Sequence, residues 1–297
     1  MVLTIDHLSK HYGRIQAVDD LSLSVEEGNI FGILGPNGSG KTTTLGMILN
    51  IIFPDSGSYD WFGGRYGSNP RRHIGALLET PNFYPYLSAL DNLKIVAHIR
   101  KAENPDYDGI LEIVNLRGRE GDLFRTYSFG MKQRLAIASA LLNDPDVLIF
   151  DEPTNGLDPQ GIAEVRETLL QIAQRGKTIL MASHILDEVE KICSHVAILK
   201  KGRLLATGQV GAILSNEQWI EVEATDREKL KALLATIPEV QSVTEKEHFC
   251  IVATKPGFQA ATLNQKAFQQ GILLTHLVSR NKSLESEFLQ ITKEDLV

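Results

Sequence analysis

The chain has 297 residues, of which 43% are hydrophobic and 23% are charged, with 24 glycines and 11 prolines. This composition is typical of a globular protein and excludes a disordered or fibrous one, and the length predicts one full-sized domain with a smaller second one. The formal net charge is −7 and no basic face stands out, so we expect no nucleic-acid partner.

Strand and helix patterns alternate along the first part of the chain. The strand patterns fall at 2–34, in short pieces up to Leu78, at 146–150 and at 178–182. The helical patterns fall at 41–52, 88–116 and 159–174. Because short apolar strands buried on both faces are joined by right-handed helical crossovers, this order predicts a parallel α/β core.

The pattern changes after Gly208. Strand patterns at 219–224, 240–244, 249–253 and 272–278 are combined with helical patterns at 227–235 and 259–270. The resulting β-α-β-β-α-β order predicts a small α+β, ferredoxin-like domain, followed by a last helix from Ser283. We place the boundary near Ser215, which gives domains 1–215 and 216–297.

Cysteine usage and hydropathy indicate the compartment. Cys193 and Cys250 are the only cysteines, and they stand outside any metal-ligand spacing, which predicts buried thiols in a reducing compartment such as the cytosol. The start of the chain lacks the pattern of a secretory signal. Apolar stretches are too short to span a bilayer, so we expect any membrane association to come through a partner.

A complete phosphate-binding loop stands between a predicted strand and a predicted helix. Its residues are Gly35, Pro36, Asn37, Gly38, Ser39, Gly40, Lys41 and Thr42, with Thr43 next. Glycines let backbone N–H groups curl around a phosphate, and the helix N-terminus adds partial positive charge. Lys41 is expected to reach the β- and γ-phosphates and Thr42 to ligate Mg²⁺.

Two carboxylates, Asp151 and Glu152, end the apolar strand that starts near residue 146. If the strand continues through both, they point to opposite sides and cannot share one task. We therefore expect Asp151 to serve Mg²⁺ through water and Glu152 to polarise the attacking water as the catalytic carboxylate. Two solvated acids at a strand end are the alternative, which the nearby phosphate-binding loop disfavours.

A third motif, Ser128-Phe129-Gly130-Met131-Lys132-Gln133-Arg134, opens a helical stretch that runs to Leu142. Ser128 is a good N-cap, and a helix starting there presents free N–H groups and a positive dipole end. Such an end suits a second phosphate-facing surface, which one phosphate-binding loop cannot use alone. An ordinary capped amphipathic helix is the alternative for this segment in isolation.

This segment resembles the signature of ABC ATPases. The other motifs of that family match in order across residues 1–210: Tyr12, the phosphate-binding loop, the signature residues Ser128 and Gly130, Asp151 with Glu152, Asn155-Gly156-Leu157-Asp158, and His184. The resemblance implies that Tyr12 stacks on adenine, that the segment ending at Asp158 links two ATP sites, and that His184 contacts the γ-phosphate.

The same resemblance implies the fold, the cofactors and the assembly. The fold is a P-loop ATPase cassette with a mixed-sheet core, an antiparallel β subdomain and a helical subdomain at about 86–145. The cofactors are ATP and Mg²⁺. The signature of one subunit closes on ATP held by the phosphate-binding loop of another, which implies a homodimer or a pairing with a similar cassette.

Three positions depart from the family pattern. Phe129 stands where the first of two glycines is usual, and Met131 stands where glutamine is common. Glu79 stands where the family commonly places a glutamine that links Mg²⁺ to the membrane interface. Because a hard cation accepts either a carboxylate or an amide oxygen, we expect Glu79 to ligate Mg²⁺ directly or through water, and a Glu79 that merely faces solvent is the alternative.

Residues 81–87 combine three aromatics with two prolines. Loop packing alone would explain them, but the resemblance implies that a short helix of a polytopic membrane subunit docks near Glu79 to Leu87. The sequence is most similar to the ATPase subunits of bacterial exporters, particularly those for peptide antibiotics. We therefore expect a cytoplasmic protein held on the inner face of the cell membrane by its transporter partner.

Two other classes of protein carry such a loop. A soluble ABC ATPase of translation or DNA maintenance usually has two cassettes or a long coiled coil, whereas this chain has one phosphate-binding loop and no sustained heptads. A simple P-loop kinase or GTPase switch would lack the signature helix that begins at Ser128.

Overall fold

A computed structural model describes residues 1–67, 69–78, 82–213, 218–255 and 257–281, together with Leu284 and Phe288. The chain divides into two compact units, Met1–Val210 and Gly211–Val297. Glu79 and Ser215 lie outside the described residues, and so does the helix expected from Ser283, apart from Leu284 and Phe288.

The first unit contains strands and helices in alternation. Its strands are β1 (Leu3–Tyr12), β2 (Ile15–Val25), β3 (Ile30–Leu34), β4 (Ser56–Trp61), β5 (Ile74–Leu77), β6 (Val147–Asp151), β7 (Thr178–Ser183), β8 (His195–Lys200) and β9 (Arg203–Gln209). Its helices are α1 (Lys41–Ile48), α2 (Ala89–Arg100), α3 (Tyr107–Ile113), α4 (Phe129–Leu141), α5 (Pro159–Gln174) and α6 (Leu186–Ile192), with α7 (Val210–Ile213) beginning at its last residue.

The central sheet of this unit is six-stranded, in the order β5-β6-β7-β3-β8-β9. The first five strands are parallel, which confirms the predicted α/β core, and β9 runs antiparallel to β8 and makes the sheet mixed. Strands β3 and β7 are buried throughout, as the apolar sequence predicts. Because parallel strands end at one edge, the segments that follow β3, β6 and β7 meet there.

A second, antiparallel sheet has the order β2-β1-β4. In β2 the side chains of Leu21, Leu23 and Val25 are buried while Ser22 and Ser24 are exposed, which is the alternation expected of a strand with one face on a core. Its apolar face joins the residues of β3 and α1 in one hydrophobic cluster. The phosphate-binding loop therefore starts from a rigid base.

Three helices, α2, α3 and α4, separate β5 from β6. The helices predicted at 88–116 are α2 and α3. Lys101 adopts a left-handed φ of 53° and ends α2, and Asp106 accepts a hydrogen bond from the Gly109 N–H and starts α3. Ser128 caps α4 by accepting from the Met131 N–H at 3.2 Å, which confirms the predicted N-cap.

The second unit has the elements β10 (Gln218–Ala224), α8 (Arg227–Thr236), β11 (Val240–Glu245), β12 (Cys250–Thr254), α9 (Ala260–Gln269) and β13 (Leu274–Asn281). Its sheet has the order β11-β12-β10-β13, and each neighbouring pair is antiparallel. Ile220, Val222, Leu230 and Leu263 belong to a hydrophobic cluster of this unit alone. The unit thus has its own core.

Both cysteines are buried free thiols, as predicted. Across the ranges that the structure describes, no helix combines the length and the apolar character needed to cross a bilayer.

Candidate active site

The phosphate-binding loop joins β3 to α1 and has the backbone of an anion cradle. Gly38 and Gly40 have φ values of 78° and 103°, and a Cβ at Gly40 would overlap the Ala17 carbonyl oxygen. Only glycine fits this combination of dihedral and close approach. No side chain caps α1 at Gly40, so the first N–H groups of the eight-residue helix are available to an anion.

Lys41 lies within this loop with its side chain 6% exposed. Its Nζ donates to the carbonyl oxygens of Gly35 at 2.8 Å and Pro36 at 3.4 Å. The hydroxyl oxygen of Ser39 is buried and has no hydrogen-bond partner among the described residues. A buried ammonium, an unsatisfied hydroxyl and a ring of backbone donors together fit a polyphosphate, which accepts from all three.

Thr42, in the first turn of α1, and Asp151, at the end of β6, form a hydrogen-bonded pair. The Thr42 hydroxyl donates to Asp151 Oδ2 at 2.6 Å, which brings a hydroxyl oxygen and a carboxylate oxygen together. Over the described ranges no three His, Cys, Asp or Glu side chains are grouped as a metal site. This oxygen pair suits Mg²⁺, which commonly takes one or two protein oxygens and fills its octahedron with water and phosphate.

The backbone at Glu152 differs from the continuing strand that the sequence predicts. The pleat of a continuing strand was expected to separate Asp151 from Glu152, but β6 ends at Asp151 and Glu152 has a left-handed φ of 49°. The backbone turn, rather than the pleat, therefore directs the two carboxylates to different partners. A left-handed, non-glycine residue costs about 1–3 kcal/mol and is common at functional sites.

The Glu152 carboxylate has two charged or polar neighbours. Its Oε1 lies 3.5 Å from Lys41 Nζ, and its Oε2 lies 2.8 Å from His184 Nδ1 and accepts from the His184 backbone N–H at 3.3 Å. His184 directly follows β7, which is the neighbour of both β3 and β6 in the sheet. The sheet order therefore gathers the predicted residues Lys41, Glu152 and His184.

The N-terminus of α4 packs on the segment that precedes α5. The Phe129 ring is 43% exposed, and its Cε1 lies 3.4 Å from the position of a Cβ at Gly156. A Cβ at Gly130 would lie 3.5 Å from Gly161 Cα. Asp158 caps α5 by accepting from the Gly161 N–H at 2.8 Å, so its carboxylate positions this segment, and its contact with nucleotide stays a prediction.

The remaining predicted residues lie at the surface. Tyr12 ends β1 with its ring 48% exposed and with Lys10 Nζ 5.7 Å from the ring centroid. Tyr84 and Tyr86 are 49% and 65% exposed, whereas the Phe83 ring packs edge-on against Phe124 at 5.2 Å. An exposed ring is available for stacking on a base or a partner.

Sequence reasoning assigned no individual role to the buried polar residues Asn92 and Arg134. Asn92 is 1% exposed, accepts from the Tyr84 N–H at 2.8 Å and donates to the Tyr84 carbonyl at 3.1 Å. Arg134 is 5% exposed, donates to the Val114 and Asn115 carbonyls and pairs with Glu164 at 3.0 Å. A polar residue inside an apolar helical run was the available signal.

Comparisons with known proteins indicate the same family as the sequence motifs do. Residues 18–155 match the ABC transporter family. The chain is 37% identical over 296 residues to the bacitracin transport ATP-binding protein BcrA of Bacillus licheniformis, covering 98% of this chain and 97% of that protein. It is 34% identical over 309 residues to the Nod factor export ATP-binding protein I of Ralstonia nicotianae, covering 99% and 95%.

A solved structure of the ATP-binding subunit of an ABC transporter aligns with a TM-score of 0.63 at 30% identity, covering 72% of this chain and 92% of that chain. Together with the phosphate-binding loop and the Glu152 site, these matches identify the chain as a member of the ABC transporter family, an ATP-hydrolysing ATP-binding subunit.

Proposed function

We propose that two cassettes, two copies of this chain or this chain with a similar cassette, close around ATP and Mg²⁺ and drive a separate membrane-spanning exporter. The observation that carries the hydrolytic part is the arrangement of Glu152 between Lys41 Nζ at 3.5 Å and His184 Nδ1 at 2.8 Å. A carboxylate fixed in this way, beside a phosphate-binding loop, suits the orientation of an attacking water.

Each residue has a distinct role in this proposal. Lys41 exchanges its two carbonyl partners for phosphate oxygens, which are the stronger acceptors because they are charged. Glu152 accepts a hydrogen bond from the attacking water, and His184 fixes the carboxylate and contacts the γ-phosphate. Thr42 and Asp151 would hold Mg²⁺, directly or through water, and the ion would neutralise charge on the phosphates.

The proposed pairing of cassettes rests on α4. Ser128 Oγ uses the Met131 N–H, which leaves the N–H groups of Phe129 and Gly130 in the first turn for an anion. The Phe129 ring stands in place of the family's glycine and packs toward Gly156. Contacts of Ser128 and Gly130 with ATP bound to the other cassette therefore stay compatible with the Phe129 side chain.

The proposed contact with the membrane subunit involves Tyr84 and Tyr86. A cavity of about 270 Å³ beside them is lined by Phe83, Asn92, Ile95, Val96 and Ile99 as well as Asn82 and Tyr84. Asn92 holds the Tyr84 backbone on both its N–H and its carbonyl, so the exposed rings stand on a fixed segment. A short amphipathic helix is the partner that such an apolar groove suits.

The names of the relatives supply the proposed cargo. The names of BcrA and protein I give bacitracin transport and Nod factor export as the functions of those two proteins. We assign this chain to exporters of peptide antibiotics, drugs or lipids, located in the cytoplasm on the inner face of the membrane. Residues 216–297 form a ferredoxin-like accessory domain in this proposal, since the β11-β12-β10-β13 order supports that fold.

The experiment that tests the transporter assignment is co-isolation from detergent-solubilised membranes. The wild-type chain is expected to retain a polytopic membrane protein, and the Tyr84→Glu, Tyr86→Glu double variant is expected to lose it. Tyr107→Glu changes a tyrosine of α3 outside the docking segment and serves as the matched control. If wild type and double variant retain the same proteins, or if neither retains a polytopic one, the docking proposal is wrong.

A further inference from the structure

A cavity in the first unit is lined by none of the residues of the candidate ATP site. Its volume is about 640 Å³, which is within the size range of small-molecule sites. Its floor is apolar and includes Ile110, Ile113, Leu142 and Ile172, which are 7%, 7%, 3% and 1% exposed. The remaining lining is largely charged or amide side chains.

The charges around this cavity do not balance. Lys177 pairs with Asp144 at 2.6 Å, and Asp106 accepts a hydrogen bond as the N-cap of α3. Three further lining cations, Arg72, Lys101 and Arg175, have no ion-pair partner within the described part of the chain. With Glu103 as the third acid, the four Lys and Arg side chains of the lining exceed its Asp and Glu side chains by one positive charge. An anionic ligand is therefore favoured over a cationic one.

An amide beside the charged rim adds a second observation. Asn143 lines the cavity, and its Oδ1 is buried with no hydrogen-bond partner among the described residues. An unsatisfied buried acceptor costs about 1–3 kcal/mol. A rotation of this side chain toward the cavity would let a ligand N–H or O–H satisfy it.

The cavity lies at the ends of elements that begin or end in the active site. Helix α4 starts directly after its N-cap, the signature residue Ser128, and its 13 residues extend about 20 Å to the cavity residue Leu141. Helix α5 starts after Asp158 and ends at Gln174, next to the cavity residue Arg175. Strand β6 follows the cavity residue Asp144 and ends at Asp151.

We propose that this cavity is a regulatory site for a small amphipathic anion, a molecule that joins an acidic group to an apolar body and carries a hydrogen-bond donor. The acidic group would lie against Arg72 and Arg175, and the apolar body on the floor of Ile113 and Leu142. A ligand there contacts α3, α4, α5 and the segments before β5 and β6 together, so it would fix the helices that carry Ser128 and Asp158 relative to the sheet.

The probe that tests this is 8-anilino-1-naphthalenesulfonate, which has an anion, two aromatic groups and an N–H, and fluoresces when bound in apolar surroundings. Fluorescence titration of the full chain is expected to give a saturable site that ADP does not displace. Arg72→Glu and Arg175→Glu should each raise its Kd about tenfold or more, since each removes a charge-assisted contact and adds repulsion. Arg71→Glu, an exposed neighbour that does not line the cavity, should leave the Kd unchanged.

Equal Kd values in all four proteins, or displacement by ADP, would overturn the site. The proposed regulation of ATP turnover is measured separately from binding. Saturating probe should change the ATP turnover of the wild type but not that of the Arg72→Glu, Arg175→Glu double variant. An equal change in both proteins, or no change in either, would overturn the regulatory role.

Discussion

The Glu152 carboxylate lies 2.8 Å from Nδ1 of His184, although 32 positions separate these residues in the chain. Because a carboxylate only accepts hydrogen bonds, this distance fits a ring that carries a hydrogen on Nδ1 and donates it to Glu152. The left-handed backbone at Glu152 makes the approach possible. The histidine therefore positions the carboxylate through both its ring and its backbone N–H.

The first prediction compares the effects of replacing Glu152 and His184 on ATP turnover. Glu152→Gln should lower ATP turnover about a hundredfold or more while ATP still binds, because the amide cannot take up the role of a general base. Turnover and fluorescent-nucleotide binding measure the two effects. His184→Ala should lower turnover less, since Glu152 keeps its contact with Lys41.

The control for this pair is His98→Ala, an exposed histidine of α2, which should keep wild-type turnover. Normal turnover in Glu152→Gln would remove the carboxylate from the water-orienting role. Size-exclusion chromatography adds an independent outcome: with ATP and Mg²⁺, Glu152→Gln should accumulate as a dimer, because reopening waits on hydrolysis.

The second prediction concerns Lys41. Lys41→Ala should weaken ATP binding by about tenfold to a hundredfold, because it removes a buried ammonium that makes charge-assisted hydrogen bonds to phosphate. Lys41→Arg keeps the charge but not the compact shape that fits between the Gly35 and Pro36 carbonyls, so it should recover only part of the affinity. Calorimetric titration with a non-hydrolysable ATP analogue measures all three proteins, and equal affinities would contradict the assigned role.

Local rules predicted the elements of the site well. The N-cap at Ser128, the buried apolar strand that leads to Asp151 and the loop before α1 each follow from residue types within a few positions of one another. The close approach of the Ala17 carbonyl to Gly40, 23 positions later in the chain, is by contrast a tertiary contact that no local rule gives.

Features that depend on distant partners could not be predicted. Arg134 binds carbonyls 19 and 20 positions away, and nothing in its own helix reveals those acceptors. Glu152 turns out of its strand where it meets the His184 segment, which the strand pattern alone does not encode. Residues 184–209 received no assignment from sequence, yet they form α6, β8 and β9, because their pattern depends on pairing within the mixed sheet.

The third prediction concerns Glu79, which lies outside the described residues and remains a Mg²⁺ ligand by resemblance alone. Glu79→Gln should stay an active ATPase but shift the Mg²⁺ concentration for half-maximal rate, since it removes a negative charge that attracts the cation and repels the γ-phosphate. Glu112→Gln, an exposed acid of α3, is the control. Identical metal titrations for wild type and Glu79→Gln would leave Glu79 a solvent-facing residue.

The fourth prediction is that truncation near Ser215 leaves a folded, active cassette, because the second unit has its own hydrophobic cluster. The fragment retains one thiol, Cys193, whose pKa is raised to about 12 by burial. A thiol with a raised pKa is protonated at pH 8, and burial also blocks access, so a thiol reagent should react slowly until denaturant unfolds the fragment. Rapid labelling without denaturant would mean that the cassette needs the second unit to fold.

The last prediction concerns the packing of α3, α4 and α5 around Arg134. Arg134 is 5% exposed. Its guanidinium donates hydrogen bonds to the Val114 and Asn115 carbonyls that follow α3, and it pairs with Glu164 of α5 at 3.0 Å. Arg134→Ala leaves two carbonyls and one carboxylate without this donor, and breaking a buried pair on one side costs about 3–5 kcal/mol. Because the Glu164 side chain is 30% exposed, water offsets part of that cost, and we expect Arg134→Ala to lower the free energy of unfolding by about 2 kcal/mol.

The matched control is Arg117→Ala, which removes the ion pair between Arg117 and Asp108. Their side chains are 56% and 73% exposed, so this variant should cost under about 1 kcal/mol. Urea unfolding of the truncated cassette, followed by tryptophan fluorescence, measures both, and equal midpoints for the two variants would show that Arg134 does not hold these helices together.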